Sequence, residues 1–386
     1  MKKLVFVSST RADWGLLSPL ARALRDGGFD IEVRIVATNM HLLPEYGMTV
    51  DEIRADGFEP LCADMRTEGT DPASRVRALA KCTSAMADAF GELRPDAVVI
   101  LGDRYEILGV ASAAALMNIP IIHIAGGEIS EGAVDDSIRH AVTKLSTLHL
   151  TATEPYRQRV IQLGEVPERV VNTGAIGVWN ALNVPPLPVE ELEAFLGLRL
   201  TESPVAVITY HPATLDSDAS PRERVRELLD ALGDFPELTC VITYPNNDAE
   251  SEGIIEEIKA FSAARPNALA VRSLGMRRYL SLLRYADVCI GNSSSGIVEV
   301  PSFGIPTVDI GMRQRGRIAA DSVIHCGDSR REIADAIRWA LSPEGASRAK
   351  QSKNPYFQKN TLSRQLESVV GFLNSLPVEP KKFHDL

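Results

Sequence analysis

Short apolar, β-branched runs alternate along this chain with stretches whose apolar positions repeat at helical spacing. In the first half the runs are LVFVS, IEVRIVA, AVVIL, IPIIHIA and LHLTA; in the second they are PVAVITY, LTCVITY, ALAVRS, DVCIGN and IPTVDI. Runs of strand length that are apolar at nearly every position predict strands buried on both faces, and the amphipathic helices between them are the crossovers of parallel sheets. The pattern therefore predicts an α/β fold of two Rossmann-like, doubly wound domains, and this recurrence is its only internal repetition. Between the halves, NVPPLPVEELEAF at 183–195 reads as a stiff, extended connector because three prolines lie close together. The boundary is placed there, giving an N-terminal domain over 1–182, a C-terminal domain over 183–360, and a helix and tail over 361–386 expected to cross back onto the first domain.

Composition changes this picture little. A length of 386 residues is too much for one ordinary core, and 45% apolar with 24% charged residues describes a soluble globular protein. LVFVS is only strand length, so no leader is expected at the start, and no run is long enough to span a membrane. Five cysteines, Cys62, Cys82, Cys240, Cys289 and Cys326, are scattered without metal-ligand spacing, which fits buried thiols in a reducing cytoplasm. A net charge of −10 argues against a nucleic-acid groove, yet leaves room for a small anionic ligand where arginines converge.

Candidate chemistry gathers at the ends of the predicted strands. SSTRADWG at 8–15 opens a helix after the first strand, so its backbone N–H groups and Arg11 can face an anion. It lacks the G-x-G-x-x-G turn, which removes the main support for a dinucleotide cofactor. Taken alone, Arg11 is equally a surface ion-pair residue and Asp13 a helix cap. LGDRYE at 101–106 puts Asp103 and Arg104 directly after AVVIL, as a capping ion pair or as part of a site. The segment HIAGGEISEGAVDDSIRH at 123–140 carries Glu128, Glu131, Asp135 and Asp136 beside His123, Arg139 and His140. Acidic residues opening a helix also stabilise its positive end, and Arg139 stands four residues after Asp135, so structural roles coexist with chemical ones.

The second half offers matching positions. His211 in YHPAT follows the first strand there, and Asn246 in YPNND occupies the equivalent turn one unit later, where turn formation explains it as well. GNSSSGIVEV at 291–300 sets Ser293 and Ser294 in a tight turn opening a helix, suited to a diphosphate, with Glu299 further along, suited to the two hydroxyls of a ribose. A serine-rich helix cap followed by an exposed glutamate is the structural alternative.

Two Rossmann-like domains with a central cleft resemble the GT-B architecture, which binds nucleotide sugars. More specifically, SSTRADW, LGDRYE, GGEISEGAVDDSIRHAVTK, YHP, YPNND, GNSSSGIVEV and GMRQRGR resemble, in order and spacing, the hydrolysing UDP-N-acetylglucosamine 2-epimerases of sialic acid biosynthesis. The resemblance implies a UDP-sugar substrate, no cofactor and no metal. Carried over by motif position, it places UDP contacts on Arg11, Arg104, His211, Asn246, Ser293, Ser294, Glu299 and Arg313. It places the chemistry on Asp103, Glu128 and Asp135, with Arg139, His140 and His211 beside them. Asp13, His41, His123 and Asp136 are further candidates for the sugar pocket, although His123, inside its apolar strand, reads better as a buried structural residue. Many relatives have a glutamate where this chain has Ala125, and Glu128 is the residue expected to stand in for it.

Inverting a sugar stereocentre requires a proton to leave one face and another to arrive on the opposite face, so two carboxylates are the simplest device. A UDP-sugar carrying a second acetamido group at C4, such as UDP-diacetylbacillosamine, stays open as the substrate. A GT-B glycosyltransferase or a sugar-nucleotide binder without turnover is a further alternative. The alanine-rich helix at 71–90 is compatible with a homo-oligomer, dimer or tetramer, although packing on its own sheet explains it too.

Overall fold

Alternation within the first strand decides which helices it meets. Leu4 and Phe6 point into one apolar cluster and Val5 and Val7 into another, so the strand is buried on both faces. In the computed structural model, residues 1–67, 69, 71–131, 134–212, 220–245 and 251–385 are described. The first sheet contains β1 (Lys2–Ser8), β2 (Ile31–Thr38), β3 (Leu61–Ala63), β4 (Ala97–Leu101), β5 (Ile121–Ile124), β6 (Leu148–Thr151) and β7 (Val170–Asn172). These strands run parallel in the order β3-β2-β1-β4-β5-β6-β7. The second sheet contains β8 (Val205–Thr209), β9 (Thr239–Thr243), β10 (Ala268–Val271), β11 (Val288–Gly291), β12 (Thr307–Ile310) and β13 (Val323–Cys326). It is also parallel, in the order β10-β9-β8-β11-β12-β13.

The chain divides into two compact units. The first comprises Met1–Glu128, Asp135–Trp179 and Gln358–Leu386; the second comprises Ile129–Val134 and Asn180–Phe357. In the first unit, Val369, Phe372 and Leu373 of the helix Thr361–Asn374 share a cluster with Leu4, Phe6, Leu17 and Leu20, so this helix completes one face of that unit's sheet. The helix Pro72–Leu93 covers the other face through Ala78, Cys82, Met86 and Phe90, and Asp71 caps it by accepting from Ala73 N and Ser74 N.

Three expectations are corrected here. The strands β3, β7 and β13 lie at sheet edges and have no long apolar run to announce them, because an edge strand needs less apolar surface than a central one. The stretch at 183–195 is not extended throughout: the helix Val189–Leu196 starts after Pro188, with Glu190 and Glu191 in its first turn and Leu192 and Leu196 buried four residues apart. Finally, Cys62, on the edge strand β3, is exposed rather than buried, and Cys326 is partly buried. No helix among the described residues is long and apolar enough to cross a membrane.

Candidate functional site

Parallel doubly wound sheets bind ligands beyond the carboxyl ends of their strands, where successive crossovers leave in opposite directions. In the first unit that point lies between β1 and β4, and in the second between β8 and β11. Of the residues singled out from the sequence, Arg11, Asp13, Asp103 and Arg104 follow β1 and β4, and His211, Ser293 and Ser294 follow β8 and β11; the segment 123–140 starts in the next strand, β5, and Arg313 follows β12.

After β1, Thr10 caps the helix Arg11–Asp26 in a capping box with Asp13. The Asp13 carboxylate accepts from Ser9 N at 3.2 Å, Ser9 Oγ at 2.6 Å and Thr10 N at 3.0 Å. Burial raises its pKa while the Arg104 charge pulls the other way. Asp13 therefore shapes the turn that presents Arg11, whose guanidinium is 3.7 Å from Glu52. Behind this turn, His41 is fully buried between Ser8 Oγ and Thr49 Oγ1, each at 2.8 Å, and burial pushes its pKa down to about 4. Both ring nitrogens are engaged within the protein, so His41 supports the turn.

After β4, Gly102 takes a left-handed φ of 71°, and His123 Nε2 donates to its carbonyl at 2.8 Å. His123 is fully buried, with Nδ1 at 3.4 Å from Thr143 Oγ1, and burial pushes its pKa down to about 3. The neutral ring thus fixes the turn carrying Asp103 and is likewise a support. Arg104 turns inward: its Nε donates to Glu106 Oε1 at 2.8 Å, an oxygen that also accepts from Asn39 Nδ2 at 2.8 Å. Burial pushes the Glu106 carboxyl up, but Arg104 and Asn39 prevail and hold it below the usual range.

Arg139 joins the acidic cluster. On the helix Asp135–Leu145 and only 1% exposed, it donates through Nη1 to the Glu128 carbonyl at 2.9 Å and to Asp136 Oδ1 at 3.1 Å, and through Nη2 to Asp103 Oδ2. One buried guanidinium thus draws together the end of β4, the turn after β5 and the start of the helix. Glu128 is buried at the end of the turn 125–128, where Ala125 has a φ of 67°. The preceding Gly127 has no alternative, because a Cβ there would lie 2.4 Å from the Tyr156 carbonyl oxygen. Asp135 is half-buried at the first position of the helix, and His140 lies 3.5 Å from Asp136 with its pKa lowered by burial.

In the second unit, Asn292 is the residue that sequence reasoning missed. It is 1% exposed; its Oδ1 accepts from His211 N at 2.7 Å and its Nδ2 donates to His211 O at 2.8 Å. Its carbonyl accepts from Gln314 Nε2 at 2.8 Å and Arg313 Nη1 at 3.2 Å. One side chain and one peptide group therefore tie together the turns that carry His211, Ser293 and Arg313. Ser293 caps the short helix Ser294–Val298, Ser294 is exposed, and Glu299 is half-buried at the helix end. Asn246 lies outside the described residues. The signal for Asn292 was present, an amide directly after a buried strand, whereas nothing local marks Gln314 or Asn39 as partners. Asn292→Ala removes two hydrogen bonds from the buried backbone of His211, each contributing about 0.5–1.5 kcal/mol. A denaturant melt followed through Trp339, in the second unit, should move to a lower midpoint in this variant, and an unchanged midpoint would show that Asn292 does not hold these turns.

Among known proteins, the family model for UDP-N-acetylglucosamine 2-epimerase matches residues 23–369. The chain belongs to the UDP-N-acetylglucosamine 2-epimerase family. The polysialic acid biosynthesis protein P7 of Escherichia coli is 36% identical to this family member over 388 residues, covering 100% of this chain and 98% of the relative. The GDP/UDP-N,N'-diacetylbacillosamine 2-epimerase (hydrolyzing) of Campylobacter jejuni is 39% identical over 324 residues, 84% of each protein. The crystal structure of UDP-GlcNAc 2-epimerase from Neisseria meningitidis bound to UDP-GlcNAc superimposes with a TM-score of 0.79 at 17% identity, covering 96% of this chain and 100% of that one. The fold of this epimerase-family chain is accordingly the two-domain, GT-B-like α/β fold.

Proposed function

We propose that this chain is a hydrolysing UDP-sugar 2-epimerase that converts UDP-N-acetylglucosamine and water into N-acetylmannosamine and UDP, a supply reaction for sialic acid synthesis. Family membership and the names of its relatives support the reaction class. One observation carries the chemistry: Arg139 gathers Asp103, Asp136 and the Glu128 turn at one set of strand ends.

The C2 proton of the sugar is barely acidic until the C1–oxygen bond to UDP begins to break and positive charge grows next to it. His211, Arg313 and the Ser293–Ser294 turn take the departing diphosphate, in keeping with donors that face developing charge. A carboxylate, Asp103 or Asp135, accepts the C2 proton, and the C1–C2 double bond of 2-acetamidoglucal forms as UDP leaves with the bonding pair. Water then bonds to C1 through its oxygen and passes one proton to Glu128, while the second carboxylate, which enters the step protonated, delivers its proton to the opposite face of C2. Glu128 orients the water or the leaving oxygen. Atoms balance without any redox partner, and C2 is inverted.

The Campylobacter relative favours a second substrate, UDP-N,N'-diacetylbacillosamine, over the same chemistry. Incubating the enzyme with each sugar nucleotide in heavy water, with products read by NMR, separates the readings. UDP release with a 2-inverted, C2-deuterated free sugar supports the proposal, and the better kcat/KM names the substrate. No release of UDP from either compound in the absence of an acceptor defeats it.

A further inference from the structure

Three basic groups in the first unit lie outside this chemistry, and all are drawn to one carboxylate. Glu165 is 2% exposed; it accepts from Lys144 Nζ at 2.7 Å, Lys381 Nζ at 2.7 Å and His149 Nε2 at 3.0 Å. Burial pushes its carboxyl up, but these three partners hold it at about 2. Lys381 does more than pair with it. The same ammonium donates to the carbonyls of Lys144 at 2.6 Å and Ser146 at 2.7 Å, with the Thr143 carbonyl at 3.4 Å. Those carbonyls end the helix Asp135–Leu145, where an α-helix leaves acceptors unpaired and concentrates partial negative charge.

The residues around Lys381 are fastened to the same place. Phe383 lies beneath Lys144, whose Nζ is 5.0 Å from the ring centroid, and His384 N donates to the Gly164 carbonyl at 3.0 Å. A Cβ on Gly164 would meet the Phe383 ring at 2.3 Å, so the tail fits against a backbone that has no room for a side chain. The anchored helix is the one that bears Asp135, Asp136 and Arg139. In its last turn, Thr143 Oγ1 donates to the Arg139 carbonyl at 2.9 Å, next to His123, the ring that fixes the Asp103 turn.

We propose that Lys381 is a positioning residue: by capping the carboxyl end of the helix 135–145, the tail 381–384 sets where Arg139 and Asp135 stand relative to Asp103. The inference rests on the acid/base reading of those residues. Lys381 touches no reacting atom and acts through the helix. Its removal still leaves Glu165 paired with Lys144 and His149, so the variant keeps its buried carboxylate compensated and folds.

The test compares the full-length enzyme with Lys381→Met, Lys381→Arg and a chain lacking residues 381–386. Small misplacement of catalytic groups costs up to about a hundredfold in rate, so Lys381→Met is expected to lose about tenfold to a hundredfold in kcat. KM and calorimetric UDP affinity stay within about twofold, because the diphosphate groups belong to the other unit. Lys381→Arg, which keeps a multi-donor cation, recovers most of the loss. Amide hydrogen exchange over 135–145 should quicken in Lys381→Met while the helices Pro221–Leu232 and Arg330–Ala340 are unchanged. Wild-type kcat together with unchanged exchange in both Lys381→Met and the shortened chain overturns the proposal. A parallel fall of kcat, UDP affinity and melting temperature overturns it too, because that is general destabilisation. If the intact enzyme releases no UDP from its substrate, the proposed function fails, and the exchange measurement alone decides the role of Lys381.

Discussion

Replacing Asp103 by asparagine is expected to abolish solvent-deuterium entry at C2 while leaving UDP affinity within about twofold of the intact enzyme. Asparagine preserves the shape of the side chain, and its amide oxygen can still accept from Arg139, so the local fold is retained. What it loses is the ability to take or give a proton, a loss that typically costs about 10²–10⁴-fold in rate. Asp135→Asn, at the half-buried start of the helix, carries the same expectation. UDP affinity should survive in both variants because the groups proposed for the diphosphate, His211, Ser293 and Arg313, belong to the second unit. Near-normal deuterium labelling with near-normal kcat in either variant would remove that carboxylate from the mechanism. A large fall in UDP affinity would instead relocate it to nucleotide binding.

Why these residues were legible in the sequence, and others were not, follows from what a strand end demands. Central strands buried on both faces need continuous apolar runs, so AVVIL and IPIIHIA announce themselves, and a charged residue directly after such a run is conspicuous. Asp103 and Glu128, each one or two glycines beyond such a run, stand out for this reason. Edge strands such as β3, β7 and β13 carry no such obligation and passed unnoticed. Partnerships were harder still. Asp103 and Arg139 stand 36 residues apart, and Asn292 and His211 stand 81 apart, so only the folded chain discloses either pair. Spacing along a helix suggests that Arg139 pairs with Asp135; in the fold it donates to Asp136 and, from a different strand end, to Asp103. The histidines divide along the same line. His123 sits inside an apolar strand, where burial is the better reading and is what the fold shows, whereas the support that His41 gives the turn after β1 is visible only in the folded chain.

The other large effect is expected on stability and activity together, from Arg139→Met. Methionine fills much of the aliphatic volume but removes the charge that Asp103 and Asp136 share and the donor that the Glu128 carbonyl uses. Breaking a buried ion pair by deleting one partner costs about 3–5 kcal/mol because the remaining charge is stranded. Both carboxylates keep some contact with water, at 21% and 30% exposure, so the lower end of that range is expected. The loss should fall on the first unit, whose tryptophans are Trp14 and Trp179, whereas Trp339 belongs to the second. Denaturant melts of single-tryptophan versions therefore localise it, with the transition reported by Trp14 or Trp179 moving to lower denaturant and that reported by Trp339 moving less. Arg139→Lys should not restore the enzyme, since an ammonium lacks the planar fork that serves the Glu128 carbonyl, Asp136 and Asp103 at once. Adding Asp103→Asn to Arg139→Met removes one stranded charge, so the double variant should be more stable than the sum of the single losses, yet no more active. A melt for Arg139→Met that overlays that of the intact enzyme, or strict additivity in the double variant, would show that Arg139 is not what holds the acidic cluster together.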